Sequence, residues 1–482
     1  MSAGILSFGA YIPSRRLQRA VVHAANGWFA PGLRGLARGE RSIANWDEDT
    51  ITLAVEASRD ALTGIERATV DGLTLASTTF PFADRLNAGV VKEALVLPDA
   101  VATDDAGGSL RAGTSALIRA LEGGRRRLVV AADLRRAKPA SEAELIQGDG
   151  AAAILVGAGP VIAEVILAQS LSVDFVDHFR AAGADTDYGW ESRWVRDEGY
   201  GKLLAGAIAA ALDRAGLAGE AVDHAVIPVT LRGVAAGVAR KAGMRAEALV
   251  DPLGQTLGDT GTAHPLLLLA AALEKAEPGQ TILVAGFGQG VDVILLRTTR
   301  ALADLPPRAG VAGHLARRQA DENYMRFLFH RGQLALDKGM RAELDQKQPG
   351  TTLYRHRKAV LGLVGGRCPR TGTVQFPRSD IGVDPSDRSV GVQQDYPLAD
   401  RPARIVSYTA DSLTYSPDPP TCYGTIDFEG GGRLVTEFAE AGPDDLEVGR
   451  LVRMVFRIKA VDDQRGFTKY FWKAVPATDG GQ

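Results

Sequence analysis

Ser109 stands in a glycine-rich stretch, DDAGGSLRAGT, just ahead of an Ala-rich helical pattern. A serine hydroxyl attacks a carbonyl only when a neighbouring base takes its proton. The stretch is not the Gly-x-Ser-x-Gly elbow, because Arg111 fills the last glycine position. Ser109 reads equally as a residue that caps the following helix. His264 follows Asp259 by five residues and starts an apolar run, so Asp259 has the spacing to orient His264 as a base. A lone histidine there also reads as structural. His224 reads as an exposed turn residue, and Asp149 as a carboxylate that closes a loop. Gly286, Gly288 and Gly290 form GFGQG, which precedes a strand rather than opening a helix. That order excludes a dinucleotide fingerprint and predicts a tight backbone approach. The segment 174–200 is long, charged and aromatic, as lids and channel walls are, although a solvated insertion has the same composition.

The elements that must place these groups come in two matched sets. Helical TLAVEASRDAL (Thr52 to Leu62) precedes a strand over 72–78, and LLAGAIAAAL (Leu203 to Leu212) precedes one over 225–229. GTSALIRAL, then a strand over 128–132, is matched by AHPLLLLAAAL and a strand over 281–285. Gly148-Asp149-Gly150 leads into AAAILVG as Gly288-Gln289-Gly290 leads into VDVILLR. Near-continuous apolar strands alternating with helices predict buried sheets covered by helices. Two independent doubly wound domains are the alternative to one stacked duplicate. Beyond residue 300 the composition changes. ALADLPPRAGVAG reads as a linker, 317–348 as one or two short helices, and the turn-separated runs from Leu353 onward as a small β domain.

On these residues the first 300 positions resemble the thiolase superfamily, in the branch of 3-hydroxy-3-methylglutaryl-CoA synthases and initiating ketoacyl-ACP synthases. The carriers are Gly108 to Thr114, Gly148 to Ala152, Gly258-Asp259-Thr260 and Gly286 to Gly290. Residues 353–476 resemble the zinc-ribbon and OB-fold domains that accompany such enzymes, on LVGGRCPRTGTVQFP, GTIDF and GRLV. The resemblance implies a duplicated five-layered α/β fold with a C-terminal all-β OB domain. It also implies acyl transfer from a coenzyme A thioester and Claisen-type carbon–carbon chemistry, with no covalently bound cofactor. In that alignment Ser109 takes the place of the nucleophilic cysteine and Thr78 that of the glutamate acid/base. The strand VIPVTLRG lacks the second-half histidine, and Asp259 replaces asparagine. With the halves stacked, the start of the His264 helix would face Ser109. Gly286, Gly288 and Gly290 would floor the site, and Glu191, Arg193, Trp194 and Arg196 would meet the acyl-CoA or a partner. The resemblance further implies a homodimer. The alternative is an accessory subunit of a thiolase, with the OB domain as docking and channelling module.

The related ribbons hold zinc with two Cys-x-x-Cys pairs. Here Cys368 is followed three residues on by Thr371, and the second pair's segment, RSDIGVDPSD, has no cysteine, so no zinc is expected. Cys422 reads as core. The chain has 482 residues and a net charge of −3, which gives no reason to expect nucleic acid or an anionic membrane. From Leu353 to Val475 there are 17 Lys plus Arg against 16 Asp plus Glu, too even for an OB groove that tracks phosphates. Only two cysteines, no leader-like N-terminus and no apolar run longer than Leu266 to Leu273 predict a cytoplasmic protein. The expected segments are 1–162 and 163–300 for the two halves, 301–352 for linker and short helices, and 353–482 for ribbon plus OB domain.

Overall fold

The computed structural model describes residues 3–477 apart from 344, 346 and 348. Residues 478–482 of the expected last segment lie outside it. The chain divides into two units. One is built from residues up to 45, 49–89 and 98–334, the other from 46–48, 90–97 and 335 onward.

In the first unit the duplication is visible strand by strand. The first half supplies β1 (Gly4–Tyr11), β2 (Gly72–Ala76), β3 (Ala102–Ala106), β4 (Arg127–Leu134) and β5 (Asp149–Gly157). They lie in the order β1-β5-β4-β2-β3, antiparallel as far as β4 and parallel beyond it. The second half supplies β6 (Ala163–Ser172), β7 (His224–Val226), β8 (Thr281–Phe287) and β9 (Gly290–Thr298). Their order β6-β9-β8-β7 repeats the same directions, and a parallel bridge from Ala225 to Leu249 takes the place of β3. The halves join edge to edge through Gly4–Glu164 and Ile5–Ala163.

The helices complete five layers. On the outside of the first half-sheet lies α1 (Thr50–Ala61), whose first turn is closed by a reciprocal box between Asp49 and Thr52. On the outside of the second lies α3 (Ala205–Ala215). Between the sheets lie α2 (Ala112–Gly123) and α4 (His264–Leu273), which touch each other and strands of both halves. The sequence HPLLLLAAAL is apolar all round because it is buried all round. One core cluster runs through this middle layer, from Ile5 and Phe8 through Leu117 to Leu266–Leu269 and Ile294. His224 begins β7 and bonds Gln280 at 2.8 Å, so it is a strand residue rather than a turn residue.

The boundary at residue 300 is not where the first unit ends. Residues 301–334, expected as linker and short helices, are tied into it. Asp60 accepts from the backbone N–H groups of Ala309 and Gly310 at 2.9 and 3.0 Å. Residues Gln319–Asp321 pair in parallel with Arg15–Leu17. The Pro and Gly content that reads as a linker is here a turn feeding the helix Gly310–Ala316. The segment 174–200 is likewise folded. Its short hairpin pairs Tyr188 with Phe179 and Gly189 with His178, and the helical stretch 192–204 follows.

In the second unit, the strands Ala403–Asp411, Thr421–Phe428, Arg433–Glu437, Leu451–Asp462 and Phe467–Pro476 make one five-stranded sheet. A parallel bridge from Phe438 to Ala474 joins its two edges, which is the closure of an OB barrel. Ahead of it, Val364–Arg367 pairs with Val374–Gln375 and Gln394–Pro397 as a small ribbon. At the knuckle positions Cys368 Sγ donates to Asp387 at 2.9 Å, and Thr373 donates to Asp384 at 3.0 Å. Among the described residues no group of three His, Cys, Asp or Glu has the spacing of a metal site.

Candidate functional site

Ser109 lies in the turn before α2, whose first residue is Ala112. It is therefore not the helix cap. Its hydroxyl donates to the Gly288 carbonyl at 2.6 Å and accepts from the Arg111 N–H at 3.3 Å. Gly288 is needed for that approach, since a Cβ there would stand 2.8 Å from Ser109 Oγ and 3.0 Å from the Arg111 nitrogen. Arg111 spans the same junction. Its Nε donates to Gly288 O at 3.1 Å, and its Nη1 to the fully buried Asp292 at 3.0 Å. Asp292 also accepts from Thr114, Ser115 and Ser170 at 2.6–2.8 Å. A charged residue inside VDVILLR is tolerable only when paired and fully bonded in this way. Gly286 serves the same junction, because a Cβ there would meet Thr114 Oγ1 at 2.2 Å.

His264 and Asp259 do not join Ser109. The His264 Nδ1 lies 3.3 Å from the Thr260 hydroxyl, and the hydrogen bonds of Ser109 go to Gly288 and Arg111. Ser109 and His264 are thus not hydrogen-bonded to each other, although the starts of α2 and α4 are adjacent, a Cβ on Gly113 standing 2.6 Å from the Thr262 carbonyl. Burial pushes the His264 imidazole pKa down, against the pull of Asp259 and the Pro252 carbonyl. Burial would raise the Asp259 carboxyl, but Arg135, His264, the Gly261 N–H and His178 together hold it below the usual carboxylate range. Asp259 is therefore ionised and His264 neutral at pH 7.

Thr78 belongs to a third group. Its N–H and hydroxyl both go to Asp133, at 2.8 and 3.2 Å. Asp133 is fully buried and also accepts from Ser77, Thr79 and the Thr262 hydroxyl and N–H. Where the resemblance puts an acid/base, the chain has a hydroxyl fixed to a saturated carboxylate. Gly290 packs in the β9 hairpin, against the Leu171 carbonyl. Trp194 stacks on Phe175 at 4.1 Å, and Phe175 meets Phe287 at 5.9 Å. Arg193 is exposed.

Sequence reasoning missed Arg111, Asp133, Arg135, Asp177, His178, Tyr200 and Asp292 as partners. Asp133 and Asp292 left one signal, a lone carboxylate within an apolar strand. Arg135 lies 3.5 Å from Asp187 and 3.8 Å from Asp259. Burial would lower its pKa, but Asp259, Asp187, Asp133 and Asp177 reverse that and raise it. The Tyr200 hydroxyl is pushed up by burial and by Asp177 and Asp259, so it is a neutral donor at pH 7.

The first unit therefore carries a thiolase-type duplicate, with a polar seam where the start of α2 meets the Gly288 loop on one side and the Thr262 turn on the other. Over 299 residues the chain is 30% identical to a hydroxymethylglutaryl-CoA synthase of Methanothermobacter thermautotrophicus, covering 60% of this chain and 86% of the relative. The chain belongs to the hydroxymethylglutaryl-CoA synthase family. A second relative of the same description, from Archaeoglobus fulgidus, is 29% identical and is covered over 98% of its length, with 68% of this chain. Residues 212–296 match the C-terminal part of 3-oxoacyl-[acyl-carrier-protein] synthase III, and residues 396–457 match the C-terminal OB-fold domain of ChsH2. Among solved structures, MvaS in complex with 3-hydroxy-3-methylglutaryl coenzyme A shares the fold. It has a TM-score of 0.58 and 24% identity, over 68% of this chain and 91% of that one. A 3-oxoacyl-(acyl carrier protein) synthase III from Pseudomonas aeruginosa also shares it, at a TM-score of 0.55 and 22% identity, over 62% and 99%. No described helix is long and apolar enough to cross a membrane.

Proposed function

We propose that this chain acts on an acyl-CoA thioester, in acyl transfer or in Claisen-type carbon–carbon bond formation or cleavage. The observation that carries the reading is the shared sequence over 86% of a hydroxymethylglutaryl-CoA synthase. The buried polar groups support it, because they include an ionised carboxylate at Asp259 and a neutral hydroxyl at Tyr200. Coenzyme A enters as part of the substrate, and the reading needs no bound cofactor or metal. Attack by Ser109 on the thioester is not supported, since the hydroxyl lacks a base within hydrogen-bond reach. The test is incubation with a panel of acyl-CoAs, followed by mass spectrometry of protein and thioester. Turnover or isotope exchange without an adduct on Ser109 is the expected result. No binding and no change in any thioester sinks the reading.

The second reading is an accessory subunit. It is favoured by the replacement of sulfur, glutamate and histidine together, and by saturated Asp133 and Asp292 in their neighbourhood. In that case the protein co-purifies from its host with a cysteine-bearing thiolase, whereas the enzyme reading has it pairing with a second copy. Light scattering of the native complex separates the two. The ribbon and OB unit would then shape the path of the acyl-CoA.

A further inference from the structure

Arg19 and Arg41 lie inside the first unit, 2% and 1% exposed. The strand Arg15–Gln18 pairs antiparallel with Glu40–Ser42, with Leu17 opposite Arg41 and Gln18 opposite Glu40. The pairing continues for one more residue, where the Arg19 N–H bonds the Gly39 carbonyl at 3.1 Å. Residues two apart on a strand share a face, so Arg19 and Arg41 are diagonal neighbours on this hairpin, about 7–8 Å apart at their origins and within reach of each other as long side chains. The Arg19 guanidinium donates to the Gly254 carbonyl and that of Arg41 to the Glu144 carbonyl. The Nε of each is buried with no hydrogen bond. Gly39, at φ +85°, lets the loop after Gly254 close over the hairpin, since a Cβ there would stand 2.5 Å from the Gln255 carbonyl.

Among the described residues no carboxylate forms an ion pair with either arginine. The nearby acids are used elsewhere. Asp149 accepts from the N–H groups of Ala44 and Arg135, at 2.8 and 3.1 Å, and from Arg331. Glu144 accepts from the Ala140 N–H at 2.8 Å and the Tyr324 hydroxyl at 3.0 Å. Burial lowers both guanidinium pKa values to about 10, so both side chains are cationic at pH 7. Neighbouring buried cations with no anion of their own are costly. A water molecule would satisfy the Nε–H groups and leave the charge uncompensated.

We propose that Arg19 and Arg41 hold a small inorganic anion, of the size of chloride or bromide, between their Nε–H groups. Enclosure sets the size, because both side chains are almost wholly shut off from solvent. The ion supplies the missing negative charge and accepts both unused hydrogen bonds. It thereby ties the hairpin to the loop that Arg19 grips at Gly254, and that loop leads into Asp259. The inference is independent of the acyl-CoA reading, and either can fail without the other.

The test moves the full chain into sodium gluconate, whose anion is too large for the site, and titrates in sodium bromide at fixed ionic strength. Tm is expected to rise by about 2–4 °C between ~1 and ~100 mM bromide and then to level off. Arg19→Met and Arg41→Met each remove one of the two charges and are expected to abolish the rise. Anomalous scattering from wild-type crystals grown in bromide is expected to show a peak between the two Nε atoms. A wild-type Tm that ignores bromide overturns the proposal, as does an anomalous map with no peak at that position. A rise that persists undiminished in both variants overturns it too. If neither variant folds, the wild-type titration and the anomalous map decide the matter on their own.

Discussion

The Ser109 hydroxyl gives its proton to the carbonyl of Gly288, 2.6 Å away and 179 residues along the chain. One bond thus stitches the start of the helix from the first half to the hairpin loop of the second. That hydroxyl serves as a clamp between the repeats.

Removing the clamp is therefore cheap, and crowding it is not. Ser109→Ala is expected to cost about 1 kcal/mol, the worth of one partly buried hydrogen bond. Gly288→Ala forces a Cβ to within 3.0 Å of the Arg111 backbone nitrogen, which cannot rotate away. A loss of about 1–3 kcal/mol follows from such overpacking. Urea unfolding of both variants checks the order, and a larger loss for Ser109→Ala would refute it.

Asp292 carries a heavier share. Asp292→Ala strips Arg111 of its partner inside the seam and leaves Thr114, Ser115 and Ser170 without their acceptor. Breaking a buried ion pair from one side costs roughly 3–5 kcal/mol. The double variant Arg111→Met, Asp292→Ala is expected to recover part of that loss, because the stranded charge is gone. Chemical denaturation of the three proteins closes the cycle, and strict additivity would contradict it.

His264 gives the fold a pH dependence of known sign. Its folded pKa lies below the unfolded value near 6.5, since burial disfavours the imidazolium. Below pH ~6.5 the unfolded chain takes up a proton that the folded chain refuses, so stability falls with falling pH. The slope from this one group is at most about 1.4 kcal/mol per pH unit, and it ends once pH passes the folded pKa. Asp259, whose folded pKa is depressed, adds a loss only at pH below its unfolded value, roughly 3.9. His264→Asn is expected to show a flatter Tm profile between about pH 7 and 5 than the parent. Equal slopes would remove His264 from the account.

The ribbon should not respond to chelators. Hydrogen bonds from Cys368 to Asp387 and from Thr373 to Asp384 hold its knuckles. The bond from Cys368, together with those from Ser389, depresses the Asp387 carboxyl to about 2, so the acceptor stays ionised across the physiological range. Excess EDTA is expected to leave Tm unchanged, and elemental analysis to find less than one zinc per chain. A drop in Tm on chelation would show a metal in the ribbon.

The fold was legible in the sequence because it rests on local periodicity repeated twice. LLAGAIAAAL and TLAVEASRDAL, GFGQG and GDG, and the strands after them carry their burial in their own residue types. The residue types at Ser109, Thr78 and Asp259 were legible too, since they depend only on which residue stands where. Placement of the site was not. Whether Ser109 meets Gly288, whether Thr78 bonds Asp133, and where the Pro-rich stretch after residue 300 belongs are settled by contacts between residues 55 to 249 positions apart. Nor did the segment 174–200, with no apolar period of its own, reveal where it folds. Its place is set by Arg180 and Asp187 bonding to the carbonyls of Thr78 and Arg136. Residue type and spacing fix what each element buries. Only packing the two halves together fixes which polar groups share a proton.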